Sequence, residues 1–104
     1  MPFVKAASLA SLPAGSLTEA EFDGEPYVIC NAGGDLHAFE GRCPHAGGPL
    51  GHGALHGNSI VCPWHAWEFD CRTGACDFNP RIQLKAVAVK VEHGDIFIDV
   101  PPGD

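Results

Sequence analysis

The chain has 104 residues, 13 of them Gly and 9 Pro, with 45% hydrophobic and 18% charged side chains. That length allows one domain, residues 1–104, which buries roughly two-thirds of its unfolded surface, and the balance excludes a disordered or fibrous chain. Thirteen acids against six bases leave a net charge of −7, which argues against nucleic acid or an anionic membrane as the main partner and, where charge matters, favours a basic protein surface.

Met1 to Gly15 contains no apolar run fit for a signal peptide, and nowhere do about eighteen apolar residues follow one another. The expectation is a cytoplasmic protein with no membrane segment. Ser8 to Leu12 can form a short helical turn, and no segment sustains an apolar period of 3.6. Tyr27-Val28-Ile29-Cys30 reads as a buried strand. Gly41 to Gly57 is dense in Gly, Pro and His and lacks a strand pattern, as a functional loop would. Ala86 to Glu92 alternates, with Val87, Val89 and Val91 on one face. His93-Gly94-Asp95 then turns the chain into Ile96 to Val100, a hairpin partner. Pro13-Ala14-Gly15, Asp23-Gly24, Gly33-Gly34-Asp35 and Thr73-Gly74 supply the remaining punctuation. The class is all-β, a small antiparallel barrel or sandwich.

Five cysteines cannot complete a disulfide framework, and in a reducing compartment they read first as metal ligands or buried small hydrophobes. Cys30 alternates with apolar neighbours and reads as core. Cys71 and Cys76 flank the Thr73-Gly74 turn, close enough to face each other across a hairpin, with packed thiols the expected state. His52 and His56 read as exposed loop residues; His37 and His93 sit near strand ends or turns with no partner in view. Trp64, Trp67 and Phe69 read as core-filling and shielding side chains. No nucleophile motif, phosphate loop or dinucleotide-binding glycine pattern occurs, so the chain has no catalytic site of its own.

Two short segments carry the chemistry: Cys43-Pro44-His45 and, 16 residues on, Cys62-Pro63-Trp64-His65. Each offers one thiolate and one imidazole from a proline-stiffened loop, donors that suit iron–sulfur or zinc. A common zinc finger groups its cysteines before its histidines; here each loop is mixed. Mixed loops suit a two-iron cluster with Cys43 and Cys62 on one iron and His45 and His65 on the other. A structural Cys₂His₂ zinc module is the competing reading.

On these residues the chain resembles the Rieske [2Fe–2S] family, whose motif is C-x-H, a spacer, then C-x-x-H. Ala46-Gly47-Gly48-Pro49-Leu50 is similar to the family's small-residue turn. Phe69-Asp70, Thr73-Gly74 and Pro80 are similar to its F-D-x-x-T-G segment and its proline loop. The resemblance spans residues 26 to 100 and is strongest from Cys43 to Gly74.

It implies the Rieske fold, with a cluster-binding subdomain of two loops at about 41–80, and one [2Fe–2S] cluster per chain. It also implies why histidines replace thiolates: two neutral imidazoles leave the oxidised cluster uncharged, which makes it easier to reduce. Gly47 and Gly48 would let the backbone approach that cluster. High-potential members carry a loop disulfide and Ser and Tyr hydroxyls where this chain has Gly48, Trp64, Trp67 and Phe69. The potential expected is therefore near the bottom of the Rieske range, roughly −150 mV.

The function implied is that of a soluble, monomeric ferredoxin. It would take one electron from an NAD(P)H-dependent flavoprotein reductase and pass it to a terminal oxygenase, as in bacterial aromatic-ring-hydroxylating dioxygenase systems. The alternative implied is a small subunit of an assimilatory nitrite reductase or a similar assembly.

Overall fold

The computed structural model describes residues 3–44, 47–64 and 66–100. Among these residues ten strands follow in chain order: β1 (Phe3–Ser8), β2 (Leu17–Phe22), β3 (Glu25–Ala32), β4 (Asp35–Glu40), β5 (Ala54–His56), β6 (Ser59–Val61), β7 (Glu68–Asp70), β8 (Ala86–Val87), β9 (Val89–Glu92) and β10 (Asp95–Asp99). They form three antiparallel sheets, ordered β1-β10-β9, β2-β3-β4-β8 and β5-β6-β7. Among the described residues these ladders do not close into a barrel, and the all-β expectation resolves into layered sheets. The turn expected at Ser8 to Leu12 is a 3₁₀ turn over Leu9–Ser11.

The hairpins follow from turn chemistry. Asp23-Gly24 joins β2 to β3, Gly33-Gly34 joins β3 to β4, and His93-Gly94 joins β9 to β10. Both residues of each pair have positive φ, the twist-matched two-residue turn for which glycine is favoured.

β3 lies at the centre of the molecule and is buried on both faces. Tyr27 and Ile29 point into one core with Leu12, Ala20, Ala38, Ile96 and Ile98. Val28, Cys30 and Ala32 point into the other with Phe39, Leu50, Ile60 and Phe69. This explains why Tyr27 to Cys30 is apolar without alternation: a strand covered on both sides needs no polar face. The buried Asn31 amide ties the strand's end to the loop before β2. It donates to the Leu12 carbonyl (2.8 Å) and accepts from the Gly34 N–H (2.7 Å).

The segment Ala86 to Glu92 departs from expectation. It is two strands in two sheets: β8 pairs with β4, and β9 pairs with β10. Ala88 lies between them, and its carbonyl accepts the Asp99 N–H (3.0 Å). Val87 and Val89 pack against the first core, whereas Val91 is exposed. The chain leaves one sheet for another within the apparent repeat, so one alternation does not define one face.

The cysteines outside the two motif loops also differ from expectation. Cys71 is joined by a disulfide to Cys30, 41 residues earlier, and does not pair with Cys76. Cys76 keeps a buried thiol. Both bonded cysteines are fully buried, so the bridge ties β3 to the end of β7 through the second core.

Candidate metal centre

The loop expected from Gly41 to Gly57 contains more structure than its composition suggests. Arg42 bridges to Pro49, Leu50–His52 forms a 3₁₀ turn, and β5 begins at Ala54. At its tip the Cys43 N–H donates to the Gly48 carbonyl (2.8 Å) and the Gly47 N–H donates to the Cys43 carbonyl (2.7 Å). Leu50, fully buried, anchors the loop's far side, and its N–H donates to the Gly41 carbonyl (2.9 Å). The second loop joins β6 to β7. There the Cys62 N–H donates to the Trp67 carbonyl (2.8 Å), and the Trp64 N–H points to the Cys62 Sγ (3.4 Å).

The loops meet at Gly48. A Cβ on this residue would stand 2.9 Å from the Cys62 Sγ and 3.1 Å from the Trp64 ring. Gly48 is thus glycine for space, whereas Gly47 is glycine for its positive φ. Just beyond the first loop, a Cβ on Gly53 would overlap the Val61 carbonyl oxygen. A Cβ on Gly51 would strike Glu19 of β2. The loops therefore pack against each other and against the four-stranded sheet through missing side chains.

Cys43 and Cys62 are both buried, at 1% exposure, and both keep their thiols. The other two expected ligands, His45 and His65, lie outside the described residues. Two buried thiols, one from each of two loops in contact, fit one half of the donor set that a mixed-ligand two-iron cluster requires.

The segment after the second loop explains the pattern F-D-x-x-T-G. Phe69 is fully buried. The Asp70 carboxylate accepts the Arg72 N–H (2.7 Å), and the Asp70 carbonyl accepts the Gly74 N–H (2.7 Å). The Thr73 hydroxyl accepts the Ala75 N–H (3.2 Å). Gly74 has φ +81°, and a Cβ there would meet the Phe39 ring at 2.9 Å. Asp, Thr and Gly are thus the parts of one turn. Pro80 is exposed in the next turn, where the Ile82 N–H donates to the Asn79 carbonyl (2.9 Å) and the Ile82 side chain packs on the second core.

The aromatic residues do not act alike. Phe69 fills the core. Trp67 is half-buried against it and meets Phe78 edge-on at 4.7 Å between centroids. Trp64 is 48% exposed, contrary to the expectation that it fills the core. His52 is exposed as expected but has a partner: its Nε2 lies 2.5 Å from the Glu19 carboxylate, joining the first loop to β2. No local signal links two residues 33 apart, so this contact was beyond sequence reasoning. His37 lies near the start of β4, opposite Cys30 and close to the Gly33-Gly34 turn, as expected.

The model of the Rieske [2Fe–2S] domain matches residues 3–91. The chain belongs to the Rieske [2Fe–2S] family. Its cofactor is a Rieske-type [2Fe–2S] cluster. The chain is 32% identical to the ferredoxin component of biphenyl 2,3-dioxygenase from Rhodococcus jostii, over 99% of this chain and 97% of that protein. It superposes on the ferredoxin of carbazole 1,9a-dioxygenase from Nocardioides aromaticivorans with a TM-score of 0.82 at 30% identity, over 94% and 97% of the two chains. A chain of the complex of reduced oxygenase and oxidised ferredoxin in carbazole 1,9a-dioxygenase matches with a TM-score of 0.83 at 26% identity, over 92% and 91%. Among the described residues of this Rieske protein, no helix is long and apolar enough to cross a membrane.

Proposed function

We infer that this chain is the electron-carrying ferredoxin of an aromatic-ring oxygenase system. The observation that carries the reading is that two buried thiols, Cys43 and Cys62, stand one on each of two loops that meet at Gly48. They occur in a chain similar along nearly its whole length to a dioxygenase ferredoxin component. Cys43 and Cys62 would hold one iron, His45 and His65 the other, within a cluster-binding subdomain at about 41–80 of a single domain. When bound, the cluster takes up and releases one electron. The protein's own part is to seat it and to keep water from the thiolates, which the 1% exposure of both cysteines supports.

Trp67 and Phe69 bring no hydroxyl to the second loop, and this supports a potential near the bottom of the Rieske range. Four of the six basic side chains already face acids: Lys5 with Asp95, Arg42 with Glu25, Lys85 with Glu40 and Lys90 with Glu92. The surplus is negative and supports transient, salt-sensitive docking on basic surfaces of partner proteins. Those partners are an NAD(P)H-dependent flavoprotein reductase on one side and a terminal oxygenase on the other. The carrier works between them as a cytoplasmic monomer.

Reconstitution tests the reading. Reductase, oxygenase and aromatic substrate are mixed with and without this protein. Product formation that depends on the carrier and falls with added salt is the expected result. Turnover unchanged by its omission would overturn the assignment for that system.

A further inference from the structure

Trp64 is a large aromatic side chain left 48% exposed, one residue from the loop's proline and two from Cys62. An indole in that position is usually buried or recruited. Its inner side is not idle. The point where a Gly48 Cβ would stand is 3.1 Å from both Cγ and Cδ2 of Trp64 and 2.9 Å from the Cys62 Sγ. Gly48 does not have the positive φ that would demand glycine, so the missing side chain is there for room. The room is taken by the indole and the sulfur together.

Trp64 therefore touches both loops. Its ring rests on Gly48, whose carbonyl accepts the Cys43 N–H, while the Trp64 backbone N–H points to the Cys62 sulfur. The disulfide of this chain lies elsewhere, between Cys30 and Cys71, and does not join the two loops.

We propose that Trp64, seated on Gly48, is the clasp that holds the two ligand loops together over the Cys62 sulfur. It is a positioning residue that sets how long the cluster survives. The proposal rests on reading Cys43 and Cys62 as ligands. Loss of the cluster from its thiolate side requires water or a competing ligand to reach a thiolate, which parting of the loops would allow. A ring lying across the seam opposes both events. Its exposed outer face costs the fold little, because one side of the indole remains apolar contact while the other meets solvent.

The test uses the loaded protein alone, with EDTA as the competing ligand and loss of visible absorbance and visible circular dichroism as the readout. Trp64→Ala is expected to bleach about ten times faster than the parent, the scale of one lost aromatic contact and its shielding. Trp64→Phe keeps a flat ring on Gly48 and should bleach within about twofold of the parent. Gly48→Ala places a methyl where the indole sits and should bleach as fast as Trp64→Ala.

Parental bleaching by Trp64→Ala would overturn the clasp, as would no rescue by Trp64→Phe. Failure of Trp64→Ala to load while Trp64→Phe loads is the same support in extreme form. Failure of both to load, with an unfolded apoprotein, overturns the clasp in favour of a general folding role. Iron and acid-labile sulfide in the parent separate the two levels: their absence sinks the ligand reading, whereas their presence with unchanged bleaching sinks only the clasp.

Discussion

The two faces of β3 support unlike cores. On the face of Tyr27 and Ile29, the packing is against Leu12, Ala20, Ala38, Ile96 and Ile98, contributed largely by strands of five to eight residues. On the face of Val28 and Cys30, the partners include Cys43, Cys62, Ile60 and Phe69, carried by two loops and by strands of three residues. The first core is specified many times over by alternation along long ladders. The second is specified by single atoms: a missing methyl at Gly48 or Gly53, a turn capped by Asp70 and Thr73, one disulfide. A core of the first kind tolerates the loss of a methyl. A core of the second kind fails when one is added, because the empty space is already occupied by a neighbour's sulfur, ring or carbonyl.

The largest expected effect removes a proposed ligand. Cys62→Ser replaces a buried soft thiolate with a hydroxyl, and His65→Cys alters the mixed donor set. Cys62→Ser should abolish the cluster, while His65→Cys should lose it or change its spectrum. Iron and sulfide analysis together with the visible spectrum read both. A Cys62→Ser protein with the parental spectrum would remove Cys62 from the site.

Next comes the covalent link between the faces. Cys71→Ser opens a bridge that spans 41 residues, and chain-entropy reasoning puts its loss at about 4 kcal/mol. Urea unfolding without reductant should show that difference, and reductant added to the parent should remove most of it. Equal stabilities without reductant would show that the bridge does not constrain the unfolded chain.

The third test sets the cores directly against each other. Gly53→Ala adds one methyl against the Val61 carbonyl and should cost about 2–3 kcal/mol. Ile29→Val deletes one methyl from the fully buried first core and should cost about 1 kcal/mol with the cluster spectrum unchanged. Chemical denaturation of the two loaded variants side by side decides it. The reverse order would mean that the second core relaxes more readily than its contacts imply.

What the sequence disclosed divides along the same line. β3, the His93-Gly94 hairpin and β10 were legible because alternation and turn residues act within a few positions. Val91 misled, since a repeat read along the chain does not register that Ala88 is where one sheet ends and another begins. β5, β6 and β7 had too few residues to express a period of two. The Cys30–Cys71 bridge and the His52–Glu19 pair join residues far apart, and no local rule brings them together. The candidate site rests on a different kind of signal: the spacing of Cys43, His45, Cys62 and His65 is a pattern of donor types, visible before any fold is known, and the structure adds the burial of Cys43 and Cys62. The contact of Trp64 with Gly48 was not, because a glycine in a turn has many explanations until its neighbours are seen.

The smallest expected effect lies at Trp67. The carbonyl of this residue accepts the Cys62 N–H, and the backbone supplies that bond whatever the side chain. The indole lies edge-on to Phe78 and is tilted at 6.5 Å from Phe69. A phenyl ring in the same place keeps an edge-to-face contact and gives up the second ring. Trp67→Phe should therefore keep its cluster and visible spectrum and lose about 1 kcal/mol in urea unfolding. A colourless Trp67→Phe protein would show that the indole, and not the carbonyl alone, holds the Cys62 loop in place. The second core would then depend on side-chain identity even where the backbone makes the decisive bond, and the contrast between the two faces of β3 would be sharper than the contacts alone indicate.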